Sequence, residues 1–386
     1  MTPAARVAAA IEILDMIGAG QPAEAVLTRW AREHRFAGSG DRVAIRDHVY
    51  DVLRCKRSYA WRGGGETGRA LMLGAMRAAG QAPETVFDGA RFAPAPISAE
   101  EVAAGASLDS APRAVQLDLP DWAVPLFERA LGPGLAAYAR RMQARAPVFL
   151  RVNTGKADID TALAALADEA IVARPVANMP TALEVTQNPR RIKNAATYRD
   201  GLVELQDLGS QMLCDAIPAA PGMRVLDYCA GGGGKALALA AQGAQVYAYD
   251  AAPQRMRDLP ARAARAGVDI PVLADPASEA PYDVVLCDVP CSGSGTWRRT
   301  PEAKWTMTPD RLAALNATQD AILVAATPLV APGGLLAYAT CSVFEEEGAD
   351  RIAQFLHRHP DWTRASEGPG LLLSEGDYFT HLQLMR

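Results

Sequence analysis

The chain has 386 residues, 49% of them hydrophobic and 22% charged, with a formal net charge of −5. That balance is ordinary for a globular protein of two or three domains and excludes collagen, disordered and disulfide-scaffold classes. No run approaches the ~20 apolar residues of a membrane span. The N-terminal MTPAARVAAAIEILDMIGAG carries Arg6, Glu12 and Asp15 through its apolar positions, so it reads as a helix rather than a signal peptide.

The six cysteines, Cys55, Cys214, Cys229, Cys287, Cys291 and Cys341, form no CxxC pair. In a large chain this implies reduced thiols and a cytoplasmic setting. The five histidines are His34, His48, His357, His359 and His381, which leaves none between 49 and 356. A Ser-His-Asp or Cys-His site would have to borrow an imidazole from one end of the chain, and a His-rich metal site is equally disfavoured. No metal is expected. Charge is unevenly spread: residues 1–140 balance, residues 141–205 carry +2 and residues 206–386 carry −7. Residues 29–57 hold eight Arg/Lys against four acids, so a local basic patch allows an RNA partner.

Residues 1–140 read as an all-helical domain. Thr2-Pro3 caps a first helix with Val7, Ile11, Leu14 and Ile17 at helical spacing until Gly18 and Gly20. Pro22 opens a second helix, Ser39/Asp41 a third, and Ser98-x-x-Glu101 has the capping-box pattern. Residues 141–205 read as a small α/β unit, with PVFLRVN, a helix around 159–166, then IVARPV, LEV and GLVEL. Arg190, Arg191 and Lys193 lie there in a loop-like context, either a solvated face or a phosphate-contacting loop.

Residues 206–386 alternate strands and helices. MRVLDYCA, QVYAYD, IPVLAD, DVVLCD and LLAYATCS are buried-strand runs separated by helical stretches, the pattern of a doubly wound parallel sheet. Ligands bind such sheets at the carboxyl ends of the strands. The first strand runs into Cys229-Ala230-Gly231-Gly232-Gly233-Gly234-Lys235, a turn that lets a ligand approach the backbone, and the second ends at Asp250, placed to accept ribose hydroxyls. The spacing is not a P-loop, since Ala236 follows Lys235. Glycines alone do not separate NAD from S-adenosylmethionine. Acids after four strands, Asp227, Asp250, Asp275 and Asp288, suit the sulfonium and ammonium of S-adenosylmethionine better than a pyrophosphate.

Cys291 and Cys341 each sit where a strand opens toward that crevice, among Ser, Thr, Pro and Gly, whereas Cys55, Cys214 and Cys287 read as packing residues. Here the residues carry a family likeness. LRVNT, GLVELQDLGSQ, LDYCAGGGGK, AYDAAPQRM, CDVPCSGSGTWRRTPEAKW and LLAYATCSVFEEE together resemble the Sun/RsmB-type (Nol1/Nop2/Sun) family of S-adenosylmethionine-dependent RNA cytosine-5 methyltransferases. SGDRVAIRDHVYDVLR more weakly resembles the NusB-like RNA-binding domain of the rRNA-modifying branch.

The resemblance implies a Rossmann-like class I methyltransferase domain preceded by a small RRM-like α/β unit and a NusB-like helical domain. It implies Cys341 as the nucleophile toward cytosine C6, Cys291 as the releasing group, and Asp288 and Lys235 as polar assistants. Cofactor contacts are expected from residues 229–235, Asp250, Arg255, Asp275 and Asp288, and RNA is the implied partner, 16S rRNA before tRNA. Arg298, Arg299 and Lys304 are candidate phosphate contacts. Gly232 departs from the family's C-A-x-P-G-G-K loop by replacing its proline, and Val289 stands where alanine is common.

Overall fold

Thr2 starts the first helix by accepting the Ala5 amide at 3.1 Å, with Pro3 in the first turn. A computed structural model describes residues 1–365 and 380–385. They fall into two units: Met1–Ala146 with Trp297–Met307, and Pro147–Thr296 with Thr308–Arg386.

The helical unit is built on α1 (Pro3–Gly18), α2 (Ala23–Glu33), α3 (Ser39–Arg54), α4 (Lys56–Gly63) and α5 (Gly68–Ala78). Val7, Ile13, Leu14, Trp30, Ile45, Val49 and Leu73 form its core; of the face read from the sequence Val7 and Leu14 are buried, Ile11 and Ile17 pack half-buried at its edge, and Ile13 joins it unforeseen. The capping box at Ser98 and Glu101 is formed and opens a short helix, Ala99–Ala103.

Residues 297–307 join this unit rather than the sheet around them in sequence. Trp297 meets Phe127 edge-on at 5.6 Å, and the Trp305 indole donates to the Leu53 carbonyl at 2.6 Å. Arg54 Nε donates to the Arg298 carbonyl at 3.0 Å, Lys304 Nζ to the Arg54 carbonyl at 2.7 Å, and Glu302 accepts the Ala23 amide that opens α2. This corrects the reading of Arg298, Arg299 and Lys304 as phosphate contacts. Arg298 and Lys304 are buried and Arg299 is half-buried. Burial pushes the Lys304 ammonium down to about 8, against the pull of Asp118.

The second unit contains two sheets. β1 (Val148–Val152), β2 (Val172–Val176), β3 (Met179–Gln187) and β4 (Val203–Leu205) form an antiparallel sheet in the order β2-β3-β1-β4, with the helix Ile159–Asp168. Arg190, Arg191 and Lys193 lie exposed on the two-turn 3-10 segment Pro189–Asn194 that follows β3. The larger sheet comprises β5 (Arg224–Asp227), β6 (Gln245–Ala248), β7 (Tyr282–Asp288), β8 (Val330–Thr340), β9 (Thr363–Arg364) and β10 (Thr380–Met385). Its order is β6-β5-β7-β8-β10-β9, with β5 parallel to β6 and β7, β7 parallel to β8, and β10 antiparallel to β8 and β9.

Alternate residues of these strands enter two cores. Val225, Val246, Val284, Leu286 and Ala337 pack with Leu213, Leu237 and Leu259 of helices on one side. Leu226, Tyr247, Val285, Cys287 and Tyr338 pack with Leu323, Ile352 and Phe355 of helices on the other. The sheet is covered on both faces and Rossmann-like.

Three differences from the sequence reading stand out. IPVLAD forms only an isolated parallel bridge, Val272 to Ala248, because Pro271 offers no amide and the Asp275 side chain turns the chain at once. The boundary near 140 falls at 146, and residues 147–205 group with the large sheet instead of standing alone. Of GDYFTHLQLMR, Thr380–Met385 forms β10, while residues 376–379 and 386 lie outside the described residues. Among the described residues no helix is long and apolar enough to cross a membrane.

Candidate active site

β5 delivers the chain into the glycine turn. The Ala230 amide bonds the Tyr249 carbonyl at 2.9 Å, and the backbone then reverses through Gly231 (φ +52°) and Gly233 (φ +78°). A Cβ on Gly233 would fall 2.2 Å from Leu259 Cδ1, so left-handed backbone and close packing both demand glycine there. Gly232 has no such positive φ. Its carbonyl accepts the Arg262 guanidinium, while the Gly234 carbonyl accepts Gln206 Nε2 at 3.1 Å. Gln206 is itself held by Arg151 Nε at 2.7 Å, and Glu204 pairs with Arg262 and Arg265. Sequence reasoning assigned no role to Gln206 or Arg262. The signal available was the polar run ELQDLGSQ between two apolar stretches.

Asp250, buried, ties the turn together. Its Oδ2 accepts the Gly231 amide at 2.9 Å and pairs with Arg255 at 3.1 Å, and its Oδ1 accepts the Ala252 amide at 2.9 Å. Residues 229–235, Asp250 and Arg255 are thus brought together. Asp275 is exposed, and its carboxylate accepts the Ala277 amide of its own turn at 2.9 Å. Asp227, also buried, has neither carboxylate oxygen hydrogen-bonded among the described residues. Burial pushes it up to about 7, with Asp288 adding to the rise and Lys235 opposing it. A buried, unsatisfied acid beside a glycine turn is a place built for a ligand's donor.

Lys235 and Asp288 form an ion pair at 2.5 Å. Burial alone would lower the Lys235 ammonium, but Asp288 more than reverses this and holds it charged. Asp288 ends β7, and its register partner Ala339 lies just before the end of β8. The loops that follow converge: Gly295 donates its amide to the Cys341 carbonyl at 3.0 Å, and the Cys291 and Cys341 sulfurs lie 3.3 Å apart.

The two thiols are unequal. The hydrogen bond with Cys341 and burial push Cys291 well up, whereas the bond from Cys291, helped by Lys235 and Thr296, lowers Cys341. Of the two thiols, Cys341 is therefore the easier to ionise. Cys55 and Cys214 are buried and pushed up to about 12, and burial also pushes Cys287 up, as packing residues require. Among the described residues no group of three or more His, Cys, Asp or Glu is arranged to hold a metal ion.

A family model described as 16S rRNA methyltransferase RsmB/F matches residues 216–371, a stretch that contains the glycine turn, Asp250, Asp288 and both cysteines. The chain belongs to the RsmB/F methyltransferase family. A second RsmF/B-type model, a ferredoxin-like domain, matches residues 119–191. Ribosomal RNA small subunit methyltransferase B of Citrobacter koseri is 32% identical over 284 residues, covering 69% of this chain and 66% of that protein. A probable ribosomal RNA small subunit methyltransferase B of Synechocystis sp. is 32% identical over 263 residues, covering 64% and 58%. The chain therefore spans less than two thirds of the length of these RsmB relatives.

Solved structures share the fold. The crystal structure of PH0851 superposes with a TM-score of 0.75 at 22% identity, covering 100% of this chain and 99% of that one. NSun6 from Pyrococcus horikoshii, crystallised with SFG, gives 0.58 at 15% identity, covering 69% and 98%.

Proposed function

We propose that the protein transfers a methyl group from S-adenosylmethionine to C5 of a cytosine in RNA, with 16S rRNA as the substrate. The observation that carries this reading is the Cys291–Cys341 pair, 3.3 Å apart just beyond the ends of two adjacent parallel strands. A dehydrogenase reading would use the glycine turn and Asp250 but gives this pair no task.

The residues fit the cofactor. Gly231, Gly232, Gly233, Asp250 and Arg255 would hold its adenosine part, and the unsatisfied Asp227 carboxylate suits its ammonium. When bound, S-adenosylmethionine supplies an electrophilic methyl group.

Cytosine C5 is a weak nucleophile, so the chain must activate it. The Cys341 thiolate attacks C6, forming an S–C6 bond while the C5=C6 electrons become available at C5. Asp288, held by Lys235, stabilises a proton on the ring nitrogen as the adduct forms. After C5 is methylated its proton passes to a water molecule, the C5–H electron pair reforms the C5=C6 bond and the S–C6 bond breaks, returning Cys341 as thiolate. Cys291, the neighbouring proton carrier, assists that departure. A base in a duplex cannot reach such a site, so the target is an unstacked cytosine. The helical unit, with its basic stretch 29–57, is proposed as a NusB-like RNA-binding element of a cytoplasmic enzyme.

The test is methylation of a 16S rRNA transcript by the full chain with S-adenosylmethionine, read by bisulfite sequencing. A single protected cytosine supports the proposal. Protection confined to tRNA moves the substrate, and cofactor binding without protection in any RNA removes the cytosine-5 assignment.

A further inference from the structure

The residues that follow the two cysteines share a buried polar network that the steps above leave unused. Glu347, wholly buried, stands at its centre. Its Oε1 accepts the Ser292 amide at 2.8 Å and Gln319 Nε2 at 3.0 Å, and its Oε2 accepts Ser292 Oγ at 2.5 Å. Gln319 Nε2 also reaches the Pro290 carbonyl at 3.0 Å. The residues on both sides of Cys291 are therefore held by one carboxylate and its amide neighbour.

The network crosses to the other cysteine. Ser342 Oγ meets Ser292 Oγ at 3.2 Å and Ser294 Oγ at 2.9 Å. The Val343 amide donates to Ser294 Oγ at 2.9 Å and the Phe344 amide to Ser342 Oγ at 3.0 Å. Tyr338 of β8 closes it by donating to the Glu347 carbonyl at 2.7 Å.

A neutral glutamine could accept several of these bonds, so their geometry alone does not require a buried acid. Burying a carboxylate is costly, and a charge kept under such conditions acts on its neighbours. Here its field falls unequally. Glu347 contacts the residue next to Cys291 and disfavours ionisation of that thiol, whereas Cys341 faces Lys235, Asp288 and Thr296. Tyr338 lies against the same network, and Arg351 is engaged by Asp320.

We infer that Glu347 is the positioning residue that decides which of the two thiols attacks, by clamping both cysteine loops and placing its charge on the Cys291 side. The inference rests on the cysteine mechanism proposed above, yet its test does not need turnover.

Initial rates of iodoacetamide alkylation at Cys341 and Cys291 are measured by peptide mass spectrometry on the full chain, between roughly pH 6 and 9. In the wild type Cys341 reacts first. Glu347→Gln keeps the volume and removes the charge, and should shrink the Cys341-to-Cys291 rate ratio by about fivefold or more, with kcat reduced and KM for RNA unchanged. Glu347→Asp restores the charge and should restore most of the ratio.

A ratio unchanged in Glu347→Gln overturns the inference, as does equal loss in Glu347→Gln and Glu347→Asp. If Glu347→Gln does not fold, Ser292→Ala decides in its place: a reduced ratio supports the clamp and an unchanged one overturns it. Failure of the functional reading would show separately, as methylation that survives Cys341→Ala.

Discussion

Lys235, from the first turn of the helix after β5, reaches Asp288 at the end of β7, and this 2.5 Å pair stands between the glycine turn and the cysteine loops. It couples the two halves of the site electrically. The Lys235 charge favours the Cys341 thiolate, while Asp288 disfavours it. Lys235→Met leaves the Asp288 charge unopposed, so the Cys341 alkylation curve should move to higher pH. Methylation should fall by about 10²-fold or more. An unmoved curve would show that Lys235 acts on the substrate and not on the thiol.

The thiol pair predicts an asymmetric outcome of truncation. Cys341→Ala should abolish methylation and leave no covalent species. Cys291→Ala should attack and methylate, then stall, running as a protein–RNA adduct on a denaturing gel. The adduct should vanish in the Cys291→Ala/Cys341→Ala double variant. Cys214→Ala should behave like wild type, its thiol being buried in the core.

Asp250 holds the glycine turn by two amide bonds, so its removal acts on the turn as well as on the ligand. Asp250→Ala should weaken S-adenosylmethionine binding by about 1–3 kcal/mol in calorimetry. Arg255→Ala, which removes a half-exposed partner of the same carboxylate, should cost much less. Equal losses would place the cofactor contact on Arg255.

Lys304 makes stability depend on pH in a defined direction. Folded, it gives up its proton near pH 8, while the unfolded chain holds that proton to the usual lysine value of 10.5. Between these values the unfolded state binds more protons, so this site's contribution to stability rises with pH; below about pH 8 the folded state bears the full cost of a buried charge. Lys304→Met removes the dependence. The wild-type minus variant difference in unfolding free energy should climb by about 3 kcal/mol from pH 8 to 10.5 and lie flat below. Burial pushes Cys55 and Tyr59 up in the same core, which opposes the trend in both proteins. A difference that stays level across the window would mean that folded Lys304 keeps its proton up to the usual lysine value.

The parallel sheet was legible because strands buried on both faces read as continuous apolar runs, and VLD, VYA, VVLCD and LLAYAT all became strands. The grouping of most candidate residues was legible because polar residues after such runs collect at one end of the sheet. IPVLAD misled since Pro271 removes a ladder donor, a local fact its apolar content outweighed. Lys304 and Arg298 misled for the opposite reason. A charge in a loop reads as solvated unless its partners are known, and the Arg54 carbonyl that holds Lys304 lies 250 residues away. Glu347 was likewise hidden, since an acid in the run EEE does not announce that it is the one turned inward.

The course of residues 297–307 bears on how the helical unit can be separated from the rest. The chain passes between the units after Ala146, again after Thr296 and again after Met307. A gene fragment starting at 147 therefore does not release a ready-made catalytic module. It strips Trp297, Lys304 and Trp305 of Phe127 and of the Arg54 and Leu53 carbonyls, presenting two bare indoles and a relieved ammonium to solvent. A single protease nick at the first passage would leave two pieces still gripping each other through that segment. In modular terms the helical unit is not an appendage: it completes its own interior with a piece of chain taken from just beyond the Cys291 loop.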